Sequence, residues 1–176
     1  MGAALRRLFF GLGVMLGVVA PQLAPELAAR AYRSGGEVLV NVEVEGAFGE
    51  TALELAAAGS RVGLRVSARV GAAPETVAEG WLRRDAGSGE WAVAAPGEGG
   101  AERRAPGAEA AAILASRAWG LRAGPLAALE GGGSVRIRAE VGIIDEAGAW
   151  HPASILWGYA EPERRLDFAD ALEVPY

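Results

Sequence analysis

The fold is decided by residues 61–94, RVGLRVSARVGAAPETVAEGWLRRDAGSGEWAVA. Val62, Leu64, Val66, Ala68 and Val70 alternate with Arg61, Arg65, Ser67 and Arg69. A period of two predicts a strand with one buried face. Residues 76–84 and 90–94 then flank Asp85-Ala86-Gly87-Ser88-Gly89, which predicts a hairpin. Its glycine-rich connection is longer than the tightest hairpin turns. Parallel strands need a long crossover, usually a helix, and the links here cannot contain one. The sheet is therefore read as antiparallel.

Upstream, Val38, Val40, Val42 and Val44 alternate with Leu39, Asn41, Glu43 and Glu45, a second strand. Residues 51–58 read as a short helix, with Leu53 and Ala57 on one face and Leu55 beside them. So short a helix must dock on the sheet to persist. Downstream, residues 96–107, PGEGGAERRAPG, read as a loop. Residues 108–118 predict the main helix. Alanine fills it at little entropic cost, Ile113, Leu114 and Ala118 form its apolar stripe, and Glu109 and Arg117 suit its dipole. Residues 125–130 read as a further helical turn, stopped by Gly131-Gly132-Gly133. Val135, Ile137, Ala139, Val141 and Ile143 alternate with Arg136, Arg138 and Glu140 as a late strand. On charge alone, Glu43 and Glu45 are expected opposite Arg136 and Arg138. Asp145 to Gly148 reads as a turn and residues 155–159 as another strand. The expected class is α+β: an antiparallel β-sheet or β-sandwich with one main helix and one or two short helices, preceded by an N-terminal apolar helix.

That apolar segment follows Arg6 and Arg7 and runs uncharged from Leu8 to Ala20. As a helix it is shorter than the about 30 Å of a hydrocarbon core. Ala29-Arg30-Ala31 offers a small-x-small cleavage site before Tyr32, with an alternative cut near Ala20 that leaves the mature start open. This order is that of a secretory signal. Residues 1–31 are read as a signal peptide or membrane anchor and residues 32–176 as a single exported domain, in the periplasm or outer cell envelope.

A chain of 176 residues that is 51% hydrophobic is too apolar for disorder and suits one core. Its net charge of -5 argues against a nucleic-acid binder. The absence of Cys excludes disulfides, thiolate chemistry and iron–sulfur ligation, and one His excludes a His cluster for metal. No cofactor is expected.

His151 has Asp145, Glu146 and Ser154 nearby in sequence, but their spacing matches no nucleophile motif, and a surface role is favoured. Glu163, Asp167 and Asp170 would share a face if helical, with Glu173 downstream; a solvated acidic tail is favoured over a cation site. The glycine clusters, Gly87 with Gly89, Gly97 with Gly99 and Gly100, and Gly131 to Gly133, lack the Lys-Ser or Lys-Thr of a phosphate loop.

Trp81, Trp91, Trp119, Trp150 and Trp157, with Tyr159, are the binding candidates. Aromatic side chains give large contact areas in recognition surfaces. The same residues could instead serve the core, with Trp81 and Trp91 paired across the hairpin and Trp119 capping the main helix. Arg83, Arg84, Arg103 and Arg104 could flank a surface built from them.

The segments VLVNVEV (38–44), LELAAAGSRVGLRVSARV (53–70), WLRRD (81–85), EWAV (90–93), AEAAAILASRAW (108–119) and LRAGPLAALEGGGSVRIRAEVGI (121–143) resemble, in their order, a family of small exported bacterial proteins known only by a domain of unknown function. The resemblance spans residues 37–144. It implies an envelope location and a small α+β form, and it carries no catalytic residues. The expected function is a non-enzymatic envelope module that binds a protein or envelope component. The alternatives are a carrier of a small apolar ligand or lipid, and a hydrolase acting on an envelope polymer.

Overall fold

The computed structural model describes residues 24–130, 132–167 and 172–173. The expected N-terminal apolar helix lies outside the described residues. In chain order the elements are β1 (Glu26–Ser34), β2 (Glu37–Glu45), α1 (Glu50–Ala57), β3 (Arg61–Val70), β4 (Thr76–Arg84), β5 (Trp91–Ala94) and β6 (Arg103–Ala105). Then come α2 (Ala108–Ala115), β7 (Arg117–Pro125), α3 (Leu126–Glu130), β8 (Ser134–Ile144), β9 (Trp150–Pro152), a 3-10 turn (Ser154–Trp157), β10 (Glu163–Asp167) and β11 (Leu172–Glu173). One sheet runs β11-β1-β2-β7; the other runs β10-β8-β3-β4-β5-β6, with β9 also on β8. The β1–β11 pairing is parallel, whereas β3 runs antiparallel to both β4 and β8. The fold is α+β, dominated by antiparallel sheet curved into a half-barrel, with a few short helices.

The alternating residues meet in one core. Val62, Leu64, Val66, Ala68 and Val70 of β3 are fully buried, as are Val38, Val40 and Val44 of β2 and Val135 and Ile137 of β8. Burying a Val or Leu side chain contributes about 1.5–3 kcal/mol. β1, β2 and β7 reach toward β10, β8, β3 and β4, while α1 lies over β3 and β4 and α2 over β4, β5 and β6.

Both of these helices dock through alanines. α1 buries Ala52 and Ala56, and α2 buries Ala111 and Ala115. The faces expected from the larger residues are corrected: Leu53 and Leu55 are half-buried flanks, Ala57 is exposed, and Ile113 is largely exposed. Small residues let the helix backbone approach the sheet, and longer side chains splay to either side.

α2 also ends earlier than expected. The Ser116 hydroxyl donates to the Ile113 carbonyl at 3.0 Å, and Arg117 opens β7. Ala118 is buried, but as a strand residue opposite Val42. β7 has no clean alternation because its register on β2 shifts twice. Gly120 adopts φ +63° at one shift, and its N–H donates to Asn41 Oδ1 at 2.8 Å. Such irregularities leave an extra residue unpaired and re-aim the side chains beside it.

Three further expectations change. Glu43 pairs with Arg117 at 2.7 Å, whereas Arg136 and Arg138 both reach Glu163 at 2.7 Å, because β2 and β8 lie in different sheets. The strand expected over residues 155–159 is the 3-10 turn, stopped by Gly158 in the left-handed region. Glu163 and Asp167 lie on strand β10 rather than on a helix face, and Asp170 lies outside the described residues. β1 itself crosses the expected leader boundary. Its residues pair with β2 continuously from Glu26 opposite Glu45 to Ser34 opposite Glu37.

Candidate functional site

The six aromatic candidates do not converge. Trp157 is 3% exposed, and its indole N–H donates to the Ala47 carbonyl at 2.8 Å. Trp91 packs on the core from β5. Trp81 stands opposite Ala94, and Trp91 stands opposite Arg84, so the two rings occupy opposite faces of the hairpin and do not pair. Trp157 and Trp91 are therefore core residues. Tyr159 is exposed at φ 66° beyond the 3-10 turn.

Trp81 and Trp150 lie on the outer face of the larger sheet. Gly63 and Gly142 face each other there. A Cβ on Gly142 would fall 2.5 Å from the Trp150 ring, and one on Gly63 would fall 2.7 Å from it. The indole thus fills the recess left by two glycines. The Arg65 guanidinium stacks 4.4 Å from the Trp150 centroid, and Arg61 and Arg83 flank Trp81 at 5.1 and 5.7 Å. Exposed cation–π contacts contribute about 0.5–1 kcal/mol each. These rings are already covered by their own arginines. Gly142→Ala is expected to displace the Trp150 ring and destabilise the protein by about 1–3 kcal/mol. Urea unfolding and indole fluorescence would check this; an unchanged midpoint with an unchanged spectrum would refute the packing.

His151 Nε2 lies 2.9 Å from Asp145 Oδ2, and both side chains are well exposed. The other Asp145 oxygen accepts the N–H groups of Ala147 and Ala149 at 2.9 and 2.8 Å. The His151 hydrogen bond first, then the Ala149 N–H, holds the Asp145 carboxyl below its ordinary range. The pair clasps the turn between β8 and β9. That clasp is complete above the ordinary carboxylate range and weakens as pH falls through the lowered value. Among the described residues, no group of three acidic or His side chains could hold a metal ion.

The arginines expected to flank a surface are engaged locally. Arg84 Nε donates to the Gly89 carbonyl at 2.9 Å, while Arg103 pairs with Glu98 at 2.7 Å and Arg104 with Glu90 at 3.4 Å. The loop over residues 96–107 is tied down by these contacts and contributes β6.

The open feature lies where the two sheets meet. β5 pairs with Trp81–Arg84 only, so residues 76–80 of β4 run on without a strand on that side among the described residues. β7 is the terminal strand of the other sheet. Between them is a cleft of about 530 Å³ whose walls include Val77, Glu79, Trp119, Leu121 and Arg122. Val77 is 49% exposed and Trp119 56%. Trp119 does not cap α2; it projects from β7 beside the left-handed Gly120. Gly97 closes one end: a Cβ there would lie 4.0 Å from Ala78 Cβ and 3.8 Å from the Trp119 carbonyl oxygen. At that end the chain itself fills the space between the two edges, so the gap there is one backbone wide.

Of the aromatic candidates, Trp119 alone lines this cleft; Val77 and the free edge of β4 were not singled out by the sequence. Val77, apolar beside Glu79 on the outer face of β4 that Trp81 and Arg83 share, was the available signal. Exposed edges are usually blunted by charges, Pro or covering segments. Here the edges carry Glu79 and Arg122, each tied to its own sheet through Arg65 and Glu37, with exposed Val77 and Trp119 beside them. The slot is lined by a strand edge on either side and rimmed by both apolar and charged side chains. No family model, curated protein or solved structure matches this chain.

Proposed function

We propose that the protein is a non-enzymatic envelope module that receives an extended segment of a partner protein between β4 and β7. The observation that carries this reading is the cleft between two strand edges that are unpaired among the described residues, rimmed by exposed Val77 and Trp119. An added strand takes its affinity from main-chain hydrogen bonds and its selectivity from pockets for alternate side chains. Trp119 has the size and exposure of an anchor residue. The basic start and apolar run of residues 6–20 support an envelope setting.

The test places a photo-crosslinking residue at Val77, and separately at exposed Glu109 on α2, in the full chain in its native envelope. Adducts at position 77 that map to one extended segment of one protein, absent at position 109 and reduced at least about tenfold by Trp119→Ala, are the expected result. Equal labelling at both positions, or adducts insensitive to Trp119→Ala, would overturn the reading.

A further inference from the structure

A second feature lies on the outer face of the larger sheet, away from the cleft. The register places Arg69 of β3 directly opposite Arg136 of β8, and Arg136 directly opposite Arg165 of β10. Directly opposed residues in an antiparallel ladder share a face, with Cβ atoms about 4.5–5.5 Å apart. Three guanidinium side chains therefore stand abreast. The inner-face neighbours Val70, Val135 and Leu166 are buried, which puts the arginines on the outside.

Like charges directly opposed destabilise a sheet. The local carboxylates relieve the row only at Arg136. Glu163 divides its two oxygens between Arg136 and Arg138. Glu75 accepts from the Ser67 hydroxyl at 2.8 Å. Arg69 and Arg165 form no ion pair among the described residues.

The row also borders a concavity. Arg69, Arg136 and Arg165 line a cleft of about 280 Å³ with Gly132, Gly133 and Ser134. Gly132 leaves open space beside the row, whereas the side-chain position of Gly133 is turned into the Ala128 carbonyl. Arginine presents a planar fork of donors suited to phosphate oxygens. A carboxylate with two oxygens can serve two of these forks, as Glu163 does for its pair. A tetrahedral oxyanion has oxygens for all three. The cleft exceeds the size of one such ion and leaves room for a substituent.

We propose that the Arg69–Arg136–Arg165 row is a binding site for a phosphate group, either free in solution or on the headgroup of an anionic lipid. The site is independent of the β4–β7 cleft, and its failure would leave that reading untouched.

The test compares the full chain with the Arg69→Gln/Arg165→Gln variant. Thermal melts are run in inorganic phosphate and in chloride at matched ionic strength. Flotation is run with vesicles of phosphatidylcholine, with and without phosphatidic acid. The expected result is a phosphate-specific rise in Tm, or phosphatidic-acid-dependent flotation, that the variant loses. Each arginine removed should weaken binding about tenfold. In chloride the variant should melt at or above the parent, because like-charge repulsion has been relieved. A response to inorganic phosphate locates the ligand in solution. A response to vesicles alone locates it on a lipid, and the apolar N-terminal segment, shared by both proteins, cannot account for the difference. Equal responses in parent and variant, no response to either probe, or a variant that melts well below the parent in chloride would overturn the proposal.

Discussion

Trp157→Ala is expected to destabilise the protein by about 3–5 kcal/mol, the range for losing a large buried aromatic side chain. A domain of this kind holds about 5–15 kcal/mol in total. Trp157 sits in the 3-10 turn after β9 and is 3% exposed. Its N–H reaches the Ala47 carbonyl at 2.8 Å, in the connection between β2 and α1, where Ala47 and Phe48 are themselves buried. The indole thus joins a late turn to an early one. Trp157→Phe separates the two contributions: it keeps most of the ring and removes the donor, leaving a buried carbonyl unpaired at about 1–3 kcal/mol. Urea midpoints at constant m-value would read both. Trp119→Ala is the control. That side chain is 56% exposed, and its loss should change stability by no more than about 0.5 kcal/mol. If the two alanine variants unfold together, the division of the tryptophans into core and cleft residues is wrong.

The same division shows what could be read from the sequence. Strands with one clean apolar face declared themselves: β3 was bounded at Arg61 and Val70, and the β4–β5 hairpin was placed by its glycine-rich link. Elements that break the period did not. The start of β7 reads as the end of α2 because Ala118 continues an apolar stripe, and the rest of β7 has no period of two because Gly120 is a bulge position inside it. β9 was hidden by Pro152, which is tolerated there because that strand is short and peripheral. Residue type alone also misjudges the helix contacts, since alanines are the buried residues of both helices and the leucines pack at their flanks. The cleft was out of reach for a different reason. It is made by what β4 lacks beyond β5, and strand pairing is non-local. The arginine row was hidden likewise: Arg69, Arg136 and Arg165 become neighbours only through the register of three strands.

The register of β1 yields the other large prediction. A chain beginning at Tyr32, as a cut after Ala31 would leave it, is expected not to fold cooperatively. It would lose Leu27 and Ala31, which are 6% and 0% exposed, together with the half-buried Ala29. It would also lose the ladder that joins residues 26–31 to β2. One buried leucine contributes about 2–5 kcal/mol by itself, so the whole loss approaches the stability of the domain. The stripped half of β2 would become a free apolar edge, a template for aggregation. A chain beginning at Pro21, close to the alternative cut, keeps β1 whole and should melt cooperatively near the full-length value. Circular dichroism melts and size-exclusion chromatography of the two truncations would decide between them. A cooperative, monodisperse chain starting at Tyr32 would show that β1 is dispensable. The opposite result would mean that a signal peptidase cutting at Ala29-Arg30-Ala31 destroys the product it releases. Any processing of this chain would then have to occur upstream of Glu26, where a cut near Ala20 would separate the apolar run from the first strand.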